Sequence, residues 1–171
     1  MLYPHFKRIW FNFGVVDYND QWPRLMRCRW PSGYFIRYLM NNYGLKTMIN
    51  LEDRYDEDIQ PLIDSGELKV IKIWDYFSGT KGPTVNMTRE MIEFMRGIAI
   101  DKDRPFLVRC QGGADRTGYF CAVYRIVIQG WPKWKAKLEM LTYFHLPFKY
   151  PKIWMALDEF LLNGNVNDGD S

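Results

Sequence analysis

Histidine occurs only twice in this 171-residue sequence, as His5 and His145, and cysteine three times, as Cys28, Cys110 and Cys121. Two histidines leave no material for a His-rich metal site, and no metal or other cofactor is expected. Three cysteines are too few, and odd in number, for a disulfide framework. The expectation is a reduced cytoplasmic protein with at least one free thiol. No apolar run is long enough to span a bilayer. Residues 1–16 carry His5, Lys7 and Arg8 among their aromatics. They lack the unbroken apolar stretch and small-residue cleavage site of a signal peptide. Charge of one sign is scarce as well: 23 basic against 20 acidic residues leave +3. So small an excess does not mark a nucleic-acid binder, but it would not repel an anionic substrate. No repeat, low-complexity run or linker divides the chain.

Apolar residues are plentiful, at 47%, with aromatics at 17%, enough to exclude wholesale disorder and to fill one core. A single domain over 1–171 is expected, with its core at about 24–162. Residues 1–23 read as an aromatic flap or edge strand, and the polar 163–171 (NGNVNDGDS) as a frayed tail. Between them strand and helix signals alternate. Strands are expected at 24–30, 45–51, 68–74 and 105–109. Helices are expected at 33–43 (capped by Ser32 and stopped by Gly44), 55–65, 86–100, 117–129, 133–143 (opened by Pro132 at its first position) and 150–162. The Met87, Met91, Phe94, Met95 and Ile98 stripe reads as core rather than as a soft binding surface. Lys133, Lys135 and Lys137 read as a solvated helix face with Trp131 and Trp134 turned inward. Such alternation implies an α/β fold: three α/β/α layers around a mostly parallel sheet of four to five strands.

One segment carries chemistry: Arg109-Cys110-Gln111-Gly112-Gly113-Ala114-Asp115-Arg116-Thr117-Gly118. A cysteine ends a strand, and an arginine opens a buried helix six positions on. A loop between a strand and a helix N-terminus points several backbone N–H groups into one concavity. Gly112 and Gly113 keep side chains out of an anion's approach. Gln111 to Arg116 would then bind a phosphate, with the Arg116 fork matching two of its oxygens. The same field favours thiolate at Cys110, below the free-thiol value of ~8.5. A thiolate under a tetrahedral anion is an in-line nucleophile. Thr117 can donate its hydroxyl to the sulfur. Cys121, in the apolar helix, reads as core, and Cys28 lies in a strand. The acidic run Glu52, Asp53, Asp56, Glu57 and Asp58 reads as a solvent-facing loop and first helical turn. His145 reads as a loop or surface residue.

This C-x5-R-T-G pattern resembles the signature of the cysteine-dependent protein tyrosine phosphatase superfamily, most of all its compact dual-specificity branch. The segments 27–51 (RCRWPSGYFIRYLMNNYGLKTMINL) and 124–140 (YRIVIQGWPKWKAKLEM) resemble the strand–helix–strand and the post-loop helices of small bacterial-type members. The likeness covers about 24–144. It implies a metal-independent phosphomonoester hydrolase with a phosphocysteine intermediate, acting on phosphorylated proteins, small molecules or lipid head groups. The sequence departs from the family in three ways: Arg109 stands where the family has histidine, Asp115 precedes the arginine as in phosphoinositide phosphatases, and no Trp-Pro-Asp loop is present.

A general acid must protonate the leaving oxygen. Asp75 is the first candidate, because it follows a parallel strand whose end shares an edge with Cys110, ahead of a loop with Gly79 and Gly82. Asp115 is the rival. Two other readings remain: a phosphoinositide or small-molecule phosphatase, in which Lys81, Lys149 or Lys152 would meet the added charge, and a catalytically weak phosphate-binding module.

Overall fold

The computed structural model describes residues 10–19, 22–52, 57–73, 81–100 and 105–162. Asp75 and the 163–171 tail lie outside the described residues. Five strands form one sheet in the order β1-β2-β5-β3-β4: β1 (Gly14–Asn19), β2 (Trp22–Cys28), β3 (Thr47–Asn50), β4 (Lys69–Lys72) and β5 (Phe106–Arg109). Only β1 runs antiparallel, as a hairpin edge strand on β2, and the other pairs are parallel. The register sets Cys28 and Asn50 level with Arg109 on either side of β5. The C-terminal ends of the central strands therefore meet at one edge, where Cys110 leaves the sheet.

Six helices whose bounds are described cover the two faces: α1 (Gly33–Tyr43), α2 (Gln60–Asp64), α3 (Val85–Ile100), α4 (Arg116–Val127), α5 (Lys133–Thr142) and α6 (Pro151–Leu162). Alternation along the strands divides the core into two layers. Met26, Cys28, Met48 and Leu107 pack on Phe35, Ile36 and Leu39 of α1 and on Ile59 and Leu62. Leu25, Ile49, Phe106 and Val108 pack against α3–α6, whose contributions include Met91, Met95, Phe120, Met140 and Leu157. Helix α4 is buried from Thr117 to Arg125, which explains why its sequence is apolar nearly all round.

Local signals account for most boundaries. Ser32 Oγ accepts from the Phe35 N–H at 3.3 Å, and Gly44 takes the left-handed conformation (φ 68°) that ends α1. The stretch expected as one helix over 55–65 is instead a 3-10 turn, Glu57–Ile59, followed by the short α2. Pro61 has no N–H to continue a helix from the preceding turn. Pro132 is the N-cap of α5, with extended backbone (ψ 142°), rather than its first helical residue. Trp134 is not turned inward but 67% exposed. The buried positions of α5 are Ala136 and Met140, and a residue two before Ala136 falls on the opposite face. Trp131 is sandwiched instead, with the Arg125 guanidinium 4.1 Å and the Lys135 ammonium 3.9 Å from its ring centre. Lys137 is not solvated either: its ammonium pairs with Asp158 at 2.6 Å and lies 4.6 Å from the Trp154 ring centre.

Strand β1 is held by polar contacts from the far end of α4. The Tyr124 hydroxyl donates to Asp17 at 2.8 Å, and Gln129 Nε2 donates to the other Asp17 oxygen at 2.8 Å. Arg125 donates to the Val16 carbonyl and pairs with Glu139.

Phe120 is wholly buried between sheet and helices. Phe120→Ala is expected to lower unfolding free energy by about 3–5 kcal/mol, read from urea denaturation. A loss below ~1 kcal/mol would contradict this placement.

Candidate active site

Cys110 lies at the strand edge, 3% exposed, and the chain then loops through Gln111–Asp115 into α4. A loop that turns its amides toward a ligand must satisfy its carbonyls elsewhere. Here each of three successive carbonyls is held from outside the loop. The Trp30 N–H donates to the Gln111 carbonyl at 3.1 Å. Asn12 Nδ2 donates to the Gly112 carbonyl at 3.2 Å, and Arg27 Nη2 donates to the Gly113 carbonyl at 2.6 Å. Gly113 is left-handed (φ 64°), and a Cβ there would meet the Arg29 nitrogen at 2.5 Å and the Cys28 carbonyl carbon at 2.7 Å. Both are backbone atoms at the end of β2, so only glycine lets the loop lie this close to the strand.

A second layer braces these groups. Asn12 Nδ2 also donates to the Tyr143 carbonyl at 3.0 Å, and the Arg27 guanidinium stacks 3.8 Å from the Tyr143 ring centre. His145 Nδ1 lies 2.8 Å from Asp115 Oδ1. The turn Tyr143-Phe144-His145 after α5 thus reaches the loop through Asn12, Arg27 and Asp115. Two non-glycine residues have positive φ among the described residues, Asn12 (46°) and Phe144 (65°), and both belong to this brace.

Arg116 opens α4, and its Nη1 donates to the Leu51 carbonyl at 3.0 Å. Its Nη2 pairs with Glu52 Oε2, which also accepts from the Gln111 N–H at 3.2 Å. One carboxylate oxygen therefore takes a guanidinium and a loop amide that together would suit a phosphate oxygen. Thr117 is fully buried, and its hydroxyl has no hydrogen-bond partner among the described residues, so the expected bond to the Cys110 sulfur is not formed here. Asp115 occupies the N-cap position of α4 without capping it, its carboxylate turned to His145.

Cys110, Gln111, Gly112, Gly113, Ala114, Asp115, Arg116 and Thr117 thus lie in one strand–loop–helix unit, as the motif predicts. Several readings are corrected. His145 is not a surface residue: it is 1% exposed, with its ring stacked on Trp154 at 5.7 Å. Two members of the acidic run face the protein rather than solvent: Glu52 meets Arg116, and Asp58 accepts the Gly33 N–H at 2.7 Å at the start of α1. Arg109 is buried, with its guanidinium 4.6 Å from the Trp30 ring centre. Asn12, Arg27, Glu52, Tyr143 and His145 were missed because they reach the loop from distant parts of the chain. The faint signals were a basic residue inside an apolar strand, at Arg27, and a helix end without glycine, at Phe144.

The thiols differ in setting. Burial pushes the Cys121 thiol up to about 11 and Cys28 higher still, the latter despite the neighbouring Arg109 charge. All three cysteines are free. Among the described residues no cluster of three or more His, Cys, Asp or Glu side chains could hold a metal ion, and no helix is long and apolar enough to cross a membrane. A hollow of about 370 Å³ opens at the opposite end of the sheet, by Thr47, Lys69 and Phe106. It lies at the N-terminal ends of β3–β5, away from Cys110.

Two tests follow from this geometry. Glu52→Gln keeps an acceptor for Arg116 but removes the negative charge, and is expected to tighten tungstate binding about threefold to tenfold by titration calorimetry. Weaker binding would mean that the charge serves to place Arg116. Iodoacetamide at about pH 8 is expected to label Cys110, with tungstate protecting it, and to spare Cys28 and Cys121 until the protein is unfolded. Labelling of Cys28 or Cys121 in the folded protein would contradict their inert setting.

No protein-family model matches the chain. It is 44% identical over 52 residues to the dual-specificity protein phosphatase TpbA of Pseudomonas aeruginosa, a match covering 30% of this chain. The match spans only 24% of that relative's length. Among solved structures, a cysteine-to-serine form of TpbA in complex with phosphotyrosine superposes with a TM-score of 0.61 at 22% identity, over 82% of this chain and 85% of that one. The catalytic core of the Saccharomyces cerevisiae PP-IP phosphatase SIW14, bound to citrate, gives 0.66 at 18% identity, over 91% and 94%. A putative phosphatase of Shewanella putrefaciens gives 0.64 at 18%, over 92% and 96%. The chain shares the fold of these protein tyrosine phosphatase-like structures.

Proposed function

We propose that this protein is a metal-independent phosphomonoester hydrolase that works through a phosphocysteine, acting on phosphotyrosine or on both tyrosine and serine/threonine phosphates of proteins. The observation that carries this reading is the arrangement around Cys110: loop carbonyls tied back by Trp30, Asn12 and Arg27, with Arg116 at the start of α4. The amides of such a loop, apart from that of Gln111, which meets Glu52, are left for an anion, and the local match to a dual-specificity phosphatase agrees with it.

In the first step the Cys110 thiolate attacks phosphorus. The S–P bond forms as the P–O bond to the leaving group breaks, and a carboxylic acid gives that oxygen its proton. Loop amides and Arg116 bear the equatorial oxygens. In the second step the resulting carboxylate takes a proton from water. The water oxygen attacks phosphorus, the S–P bond breaks, and inorganic phosphate leaves with the thiolate restored. Asp75 is the proposed acid. Strand β4 is parallel to β3 and ends at the same edge as Cys110, which supports the assignment, and Asp115 is already engaged by His145. The buried Thr117 hydroxyl, in the first turn of α4 and without a partner among the described residues, would steady the sulfur as it leaves. The three free thiols suit a reducing compartment such as the cytoplasm.

A second reading, a phosphatase of phosphoinositides or other highly charged small molecules, draws on the fold likeness to the PP-IP phosphatase SIW14. Glu52 beside Arg116 speaks against it, because a carboxylate at the cradle disfavours substrates with several phosphates.

The deciding experiment is hydrolysis of para-nitrophenyl phosphate, phosphopeptides and phosphoinositides in the presence of EDTA. Wild type is expected to turn over the aryl and peptide substrates. Cys110→Ser is expected to abolish turnover while keeping tungstate binding within about threefold, since the amides and Arg116 remain. Activity surviving in Cys110→Ser would overturn the mechanism.

A further inference from the structure

The turn after α5 has a form that accounts for the odd behaviour of Asp115. The Phe144 N–H donates to the Leu141 carbonyl and the His145 N–H to the Met140 carbonyl, both at 3.1 Å. With Phe144 at φ 65°, this is the paired-bond helix stop that glycine ordinarily makes. Phe144 holds a left-handed conformation that its side chain disfavours, and it is left 62% exposed. The consequence is the next residue: His145 enters the protein, stacks on Trp154 and sets Nδ1 against Asp115 Oδ1.

Asp115 stands at the N-cap position of α4 with helical backbone (φ −83°, ψ −72°), not the extended backbone from which an aspartate accepts N–H bonds from the first turn of its helix. It makes no such bond. Against an ionised carboxylate, which only accepts, Nδ1 is the donor of this contact. Nε2 is buried without a partner among the described residues. Burying that nitrogen has a cost that a solvent-exposed histidine would avoid. What the contact achieves is to turn a carboxylate away from the helix end that adjoins the cradle.

We propose that His145 is a positioning residue: it withholds the Asp115 carboxylate from the N-terminus of α4, leaving that positive end to the substrate phosphate. The proposal rests on the phosphatase reading for its substrate, but its first readout is anion binding, which does not need turnover. Freed from His145, the Asp115 carboxylate would be able to swing toward the N-terminus of α4 and place a negative charge where the phosphate binds. Asp115 then acts by being held aside, not as the general acid.

The test is a double-mutant cycle with tungstate as probe, with hydrolysis of para-nitrophenyl phosphate measured in parallel and folding checked by circular dichroism. His145→Phe keeps a ring against Trp154 and removes the donor. It is expected to weaken tungstate binding about tenfold and to raise KM more than it lowers kcat. His145→Asn keeps an N–H near the Nδ1 position and is expected to stay within about threefold of wild type, which also guards against loss of folding in the phenylalanine variant. Adding Asp115→Asn to His145→Phe is expected to restore most of the lost affinity, a recovery that general damage to the core would not give. Unchanged affinity in His145→Phe, or no recovery in the double variant, overturns the proposal. So does a hundredfold fall in kcat for Asp115→Asn alone with tungstate affinity intact, which would make Asp115 the acid. Wild type that binds tungstate but hydrolyses nothing would overturn the phosphatase reading and leave the positioning role standing.

Discussion

A peptide loop cannot aim its N–H groups at a ligand unless something else takes its carbonyls. That constraint organises this site. Gln111, Gly112 and Gly113 surrender their carbonyls to Trp30, Asn12 and Arg27, all of which lie far ahead of the loop in the chain. The donors differ in kind: a backbone amide, a side-chain amide and a guanidinium. Each is fixed by a contact of its own. The Trp30 ring lies under Arg109, Asn12 bridges to Tyr143, and Arg27 stacks on the Tyr143 ring. The cradle is therefore a property of the whole C-terminal edge of the sheet, not of the eight or so residues that form its sequence motif.

That distinction explains what could be read from the sequence. Strand and helix positions, the Ser32 and Gly44 caps, the buried character of α4 and the strand–Cys–loop–Arg–helix unit depend on near neighbours in the chain. Most of these were legible from periodicity and residue type, the broken 55–65 stretch and the Pro132 position excepted. Asn12, Arg27 and Glu52 meet the loop across separations of 59 residues or more, and His145 across 30. No local pattern marks them. Nor does composition: an acidic residue in an acidic run, such as Glu52, looks like a solvated face until the fold brings Arg116 beside it. The placement of Asp75 falls outside the described residues, and its assignment still rests on the order of strands.

The brace also carries unfavourable contributions that a site-free protein would shed. Two non-glycine residues sit at positive φ, and Arg27 and His145 bury polar nitrogens without partners among the described residues. Each costs on the order of a kcal/mol or more, and the surrounding core must outweigh them. Their concentration around one loop is itself informative. Elsewhere the described structure keeps mostly to ordinary caps and apolar layers, so the exceptions mark where geometry takes precedence over stability.

The same brace accounts for a surface feature that would otherwise invite a separate explanation. From Tyr143 onward successive residues face opposite ways: Tyr143 and His145 inward, Phe144 and Leu146 outward. A turn that must deliver Tyr143 to Arg27 and His145 to Asp115 has no inward direction left for the residue between them. Phe144 is exposed because its neighbours are committed, and its left-handed backbone follows from the same demand. Trp134, Leu138 and Leu141 continue the apolar surface on the outer face of α5, but that face is fixed by the burial of Ala136 and Met140 rather than by the turn. The two parts of the exposed surface thus have different origins. Exposure at Phe144 is a consequence of how the Gln111–Asp115 loop is held, and does not by itself signify a binding partner.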